Sequence, residues 1–127
     1  FAAFVLRLAL GIVLLAHSLY LKLVVFTLPG TAAFFTSIGL PGMFAYLVFS
    51  IEVIAGIGLI LGIKTRLFAA LVIPVLMGAT WVHWANGWLF TNAGGGWEYP
   101  LLLAMIAVVQ MGLGDGKYSL ATVIASR

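Results

Sequence analysis

The chain has 127 residues, 65% of them hydrophobic and only 7% charged, with a mean hydropathy of +1.26; a soluble domain carries about a quarter of its residues charged, so water is excluded as the main solvent. The net charge of +3 comes from six basic residues placed mostly at the ends of apolar runs, which excludes a nucleic-acid footprint and reads as a topology signal facing lipid headgroups. There is no cysteine, which excludes disulfides, thiol relays and thiolate ligands, so any electrons must travel on a bound molecule or a partner.

The first apolar run predicts a membrane span over residues 3–28, with Arg7 near its start, His17 well inside, and Tyr20 and Lys22 towards its end. Pro29 and Gly30 are expected to stop it. Residues 31–38 mix apolar and small polar types without charge, as a short interfacial helix or a surface loop would. Gly39, Leu40, Pro41 and Gly42 then turn the chain back.

The second span is expected over residues 43–63 and holds Glu52 near its centre, where an acid costs roughly 2.5–3.5 kcal/mol to insert. Ala55, Gly56, Gly58 and Gly62 supply small residues that let helices approach closely in lipid. Residues 62–66 leave room only for a short hairpin. The third span, over residues 67–90, contains Pro74, which removes one backbone hydrogen bond and predicts a kink. Trp81, Trp84 and Trp88 recur near its far end as an interfacial anchor would. A loop over residues 86–96 ends in three glycines, and the fourth span follows over residues 97–113. Pro100 suits the first turn of that helix, and Glu98 suits its N-terminus. The tail, 114–127, has the pattern of a cytoplasmic segment with a short amphipathic surface helix.

The fold expected is therefore all-α: a polytopic membrane protein forming one transmembrane domain, an antiparallel four-helix bundle with a short interfacial helix or loop after the first span. Arg7, Lys64, Arg66, Lys117 and Arg127 fall on one side, whereas the other holds only Lys22 and Glu98. The positive-inside rule places both termini in the cytoplasm, and Arg7 and Arg66 read as anchors at that face.

Counting depth at about 1.5 Å per residue puts His17 and Glu52 at one level near the bilayer middle, with Lys22, His83 and Glu98 in a shallower outer tier. Buried charges in lipid are best satisfied by facing one another, so these five residues are the candidate ligand-binding or proton-handling cluster, opening outward. Each has a plainer reading beside that one. Glu52 and His17 could pair as glue between helices. His83 could hydrogen-bond at headgroup level, Glu98 could serve only its helix N-terminus, and Lys22 could snorkel to the outer surface. Haem ligation by His17 and His83 is disfavoured because their depths differ by roughly 5–10 Å. No metal site, catalytic residue or intrinsic cofactor is assigned.

Residues spread over the whole chain carry a resemblance to a known family. They are Arg7 with LALG, His17 with Lys22-Leu23, the Gly39-Leu40-Pro41 turn, Glu52 with its glycine-rich continuation, and Lys64-Thr65-Arg66. Further along are His83, Gly87, the glycine-rich approach to Glu98-Tyr99-Pro100, and GDGKYSL from Gly114 to Leu120. In these the chain resembles the DoxX family of small four-span membrane proteins. It departs from the family's usual pattern at Ser18, where glycine commonly follows the histidine, and at Ala121, where an aspartate often closes the last motif. The resemblance implies a bacterial or archaeal cytoplasmic (inner) membrane protein, some of whose relatives are associated with quinone-linked sulfur oxidation or other redox complexes. Disulfide-handling relatives in the wider fold group depend on cysteine and are set aside. The function expected is an accessory subunit of a redox or respiratory membrane complex, its polar cluster binding a quinone or small anion. A stand-alone quinone-linked (sulfur-compound) oxidoreductase subunit and a purely structural subunit without ligand are the alternatives.

Overall fold

A computed structural model describes residues 1–89 and 91–121. Among the described residues the α-helices are, in order, α1 (Ala2–Leu15), α2 (Leu28–Ser37), α3 (Met43–Leu61), α4 (Thr65–His83) and α5 (Glu98–Leu113). A π-helical segment, Ala16–Val25, prolongs α1, and one 3-10 turn, Trp84–Asn86, prolongs α4. Among the described residues three continuous helical stretches are long and apolar enough to cross a membrane: Ala2–Val25, Met43–Leu61 and Thr65–Asn86; α5 is apolar but has only 16 residues. Their outward faces carry exposed side chains such as Val5, Ile12, Ile54, Ile57, Val108 and Val109. Such faces belong in lipid, where helices satisfy their own backbone groups.

The four apolar helices close into a ring, α1 against α3, α3 against α4, α4 against α5, and α5 back against α1. Their shared core contains Leu10, Leu14, Leu59, Val72, Leu76 and Leu103. Small residues set the closest approach. A Cβ on Gly11 would stand 2.9 Å from the Gly56 carbonyl oxygen and 2.8 Å from Ile60 Cγ1, and one on Gly56 would strike Leu15. Gly11→Val is therefore expected to destabilise the bundle by about 1–3 kcal/mol through overpacking, measured by unfolding in mixed micelles. Gly78→Val, where a Cβ meets nothing within 4 Å, is the control expected to cost less.

The α3–α4 turn is as short as expected. Gly62 ends α3 in the left-handed conformation (φ 73°) and Lys64 precedes α4 at φ 48°. Elsewhere the boundaries move. The first span ends at Val25 rather than residue 28, and Pro29 and Gly30 lie in the first turn of α2 instead of terminating the span. Thr27 caps that helix, its Oγ1 accepting from the Gly30 amide at 3.1 Å, and proline in a first turn costs little because its missing donor would be orphaned anyway. The segment after the first span is thus a helix, α2. The third span leaves helical geometry after Asn86 rather than at residue 90. There Gly87 takes φ 86° and the Asn86 amide donates to the Gly95 carbonyl at 2.9 Å, folding the loop back. The amphipathic helix expected in the tail falls mainly on residues outside those described.

Arg7 corrects another expectation. It is not a headgroup anchor but fully buried. Its guanidinium donates to the carbonyls of Leu59 and Ile60 at 2.8 and 2.9 Å and to those of Asp115 and Lys117, each at 2.9 Å, with Tyr118 at 3.5 Å. The chain of residues 114–121 is folded over that end of the bundle and held there by Arg7, by the Gln110 amide donating to the Gly114 carbonyl at 2.8 Å and by Ala121 donating to the Gly62 carbonyl. Arg66 is exposed and donates to the carbonyls of Met111 and Gly112 at the end of α5, both at 3.2 Å, where a cation complements the helix C-terminus.

Candidate functional site

At the opposite end, the helices splay around a cavity of about 1060 Å³. Its walls come from the π segment, α2, α3, α4, the glycine loop 94–96 and the start of α5. The lining is mainly apolar, from Leu14 and Ile51 to Phe34, Phe44 and Val75, with His17, Lys22, Glu52, His83 and Tyr99 as its titratable groups.

The π segment explains how two of these come to share a wall. In an α-helix residues five apart point roughly 140° away from each other. An i→i+5 ladder instead brings them onto neighbouring turns of one face. His17 and Lys22 are five apart, as are Leu21 and Phe26, and all four line the cavity; the Phe26 amide donates to the Leu21 carbonyl at 2.7 Å. Ser18, on the other side of this segment, is fully buried and donates to the Leu14 carbonyl at 2.9 Å.

Glu52 projects from the middle of α3 with only 4% of its surface exposed. Its partner is Lys22, whose Nζ lies 2.8 Å from Glu52 Oε1. This overturns two expectations at once: Lys22 does not snorkel away, and Glu52 is not paired with His17. The four-carbon stem of lysine closes the depth difference that counting Cα positions implies. At that distance the ammonium and the buried carboxylate oxygen form a charge-assisted pair.

His17 is held separately. Its Nδ1 lies 2.9 Å from the Val13 carbonyl oxygen, an acceptor only, so Nδ1 carries the proton. Its ring stacks on Tyr99 at 6.1 Å between centroids. His83 takes the opposite tautomer. Because the Asn86 amide nitrogen donates to the Gly95 carbonyl, that nitrogen is also what faces His83 Nδ1, at 3.4 Å; Nδ1 accepts, and the proton sits on Nε2.

Glu98 is not brought into this group. It opens α5 and lines a separate groove of about 420 Å³ with Trp88 and Tyr99. Trp97, just before it, stacks on Trp84 at 4.5 Å and meets Trp88 edge-on at 4.4 Å. Two of the three tryptophans expected as an interfacial stripe therefore join the α4 end to the α5 start, while Trp81 lines the large cavity. Tyr99 lines the cavity and Asn86 faces His83, and neither belongs to the five-residue cluster expected from the sequence. Tyr99 is visible within Glu98-Tyr99-Pro100, whereas the Asn86 amide is oriented by a loop contact nine residues away.

The DoxX family model matches residues 2–84, which is most of the chain and includes the π segment, α3 and α4. The chain belongs to the DoxX family. This DoxX protein is also 36% identical over 83 residues to a Bacillus subtilis (strain 168) protein named "Putative oxidoreductase CatD", a match covering 65% of the chain and 60% of that relative's length. No solved structure matches it. Of the cavity's titratable residues, His17, Lys22, Glu52 and His83 lie inside the matched DoxX region, and Tyr99 lies beyond it.

Proposed function

We propose that this DoxX protein is a four-span subunit of a bacterial or archaeal cytoplasmic-membrane redox complex, with both termini in the cytoplasm, and that its cavity binds a quinone-type headgroup. The single observation that carries this reading is the composition of one cavity: an apolar chamber of about 1060 Å³ with an ion pair and two histidines in its wall. Ligand sites are typically apolar pockets of roughly 300–1000 Å³ with a few placed polar groups. An amphiphile with a planar polar head and an apolar tail fits that distribution better than a small anion does. The name of the Bacillus subtilis relative agrees with redox work.

A quinone would bring the two-electron, two-proton chemistry that no side chain here supplies. The chain's own residues do the rest. Lys22 presents an ammonium to a ligand oxygen, Tyr99 and the apolar wall flank the ring, and Glu52 and His17 are acceptors within the same cavity for a proton. Electrons pass to a partner subunit, because the chain has no cysteine and therefore no thiol redox couple.

The test is a titration of the protein in nanodiscs with 1,4-naphthoquinone, followed by quenching of tryptophan emission, Trp81 being in the cavity wall. Saturable quenching is expected, weakened about tenfold in Lys22→Met, the loss of one charge-assisted hydrogen bond. Unsaturable quenching that is the same in both proteins would reject the reading.

A further inference from the structure

The two histidines offer opposite hydrogen-bonding faces to the same cavity, and that polarity selects among ligands. His17 has its proton committed on Nδ1 to the Val13 carbonyl, so in the neutral ring Nε2 is an acceptor. Glu52 is also an acceptor, but its Oε1 is already paired with the Lys22 ammonium at 2.8 Å, so His17 Nε2 is the acceptor left for a ligand. His83, with its Nδ1 facing the Asn86 amide, has its proton on Nε2 and is a donor, as is the Lys22 ammonium.

A quinone has only carbonyl oxygens. It can accept from Lys22 or His83, but it places a lone pair against His17 Nε2 and leaves that acceptor unsatisfied. The reduced diol has hydroxyls that donate to His17 and whose oxygens still accept from His83 or Lys22. Sites built to bond a hydroxyl reject the analogue lacking it, because buried polar groups are then left unpaired.

Building on the proposed headgroup site, we infer that the cavity is selective for the reduced, hydroxyl-bearing form of its ligand and that His17 is the residue that reads the hydroxyl. The Val13 carbonyl is the backbone element that fixes this selectivity by fixing the tautomer. Selection of the diol is a binding preference and requires no electron acceptor within the chain.

The experiment uses the full chain in nanodiscs and three probes of one ring system: 4-methoxy-1-naphthol, its fully methylated analogue 1,4-dimethoxynaphthalene, and 1,4-naphthoquinone. The first two differ only in a methyl group that replaces the hydroxyl hydrogen, and they are compared by calorimetry without any redox control. The naphthol is expected to bind about tenfold tighter than either of the others, the worth of one hydrogen bond at roughly 1.4 kcal/mol. His17→Leu is expected to reduce that ratio to about two or less. His17→Gln, which keeps an acceptor carbonyl, is expected to retain much of it. A purely packing role for His17 would lower all three affinities together and leave their ratio unchanged. Equal affinities in the wild-type protein overturn the selectivity and leave the headgroup site standing, whatever the variants do. Failure of all three probes to bind overturns the site itself and the selectivity with it.

Discussion

Replacing Arg7 with methionine is expected to lower the stability of the bundle by about 3–5 kcal/mol. The reason is the number of groups orphaned together. Methionine fills much of the volume but leaves the carbonyls of Leu59, Ile60, Asp115 and Lys117 without the donors that now satisfy them, in a place where the guanidinium is fully shielded. Each buried unsatisfied group costs about 1–3 kcal/mol, and relaxation of the tail recovers part of the sum. Lysine does not rescue the site, because three donors on a point charge cannot span carbonyls on two separate segments as a planar fork can. Unfolding in detergent mixed micelles gives the magnitude. Faster proteolysis within residues 114–121 in Arg7→Met would show that the tail comes off first. A lysine variant as stable as wild type would contradict this account.

The second large effect concerns the ion pair, and it is asymmetric. Lys22→Met strands the Glu52 carboxylate at 6% side-chain exposure and is expected to cost about 3–5 kcal/mol. Glu52→Gln strands a lysine whose side chain is already 18% exposed and can swing toward the membrane surface, so its cost is expected to be only about 1–2 kcal/mol. The double variant Lys22→Met/Glu52→Gln removes both charges and is expected to be within about 1 kcal/mol of wild type, because a buried pair returns little more than its desolvation cost. The cycle thus predicts a double variant more stable than Lys22→Met alone. Single costs that are equal and simply add would mean that the two charges do not interact.

Much of the fold is legible in the residues, and the reasons differ by element. Long apolar runs separated by Gly-Pro turns announce the membrane helices, and the small residues Ala55, Gly56 and Gly58 announce the packed face of α3, all three being buried. The α2 start was readable too, since Thr27 followed by Pro29 is a capping residue and a first-turn proline; the proline's reputation as a helix stop hides it. The π segment has no such signal. An i→i+5 ladder uses the same apolar residues as an α-helix, so residues 16–25 look like an ordinary continuation of α1. With the π segment hidden, counting residues at the α-helical rise puts Lys22 at a different level from Glu52. Arg7 is misleading for another reason. A basic residue near the end of a span normally faces headgroups, and its burial depends on carbonyls more than a hundred residues away in sequence. Of the candidate cluster, His17, Lys22, Glu52 and His83 were recoverable from the rule that ionisable groups in lipid face inward together. Which of them pair, and which tautomers the histidines hold, depends on side-chain reach and loop geometry.

The claim on which the functional account rests is that the chamber beside the Lys22–Glu52 pair receives the ligand. Photolabelling of the nanodisc-embedded protein with an azido-naphthoquinone, followed by peptide mapping, tests it most directly. The account predicts label in the peptides carrying His17 to Lys22 or Tyr99, suppressed by excess unlabelled naphthoquinone. Label confined to the lipid-facing residues of α5, such as Val108 and Val109, and unaffected by competitor would contradict it.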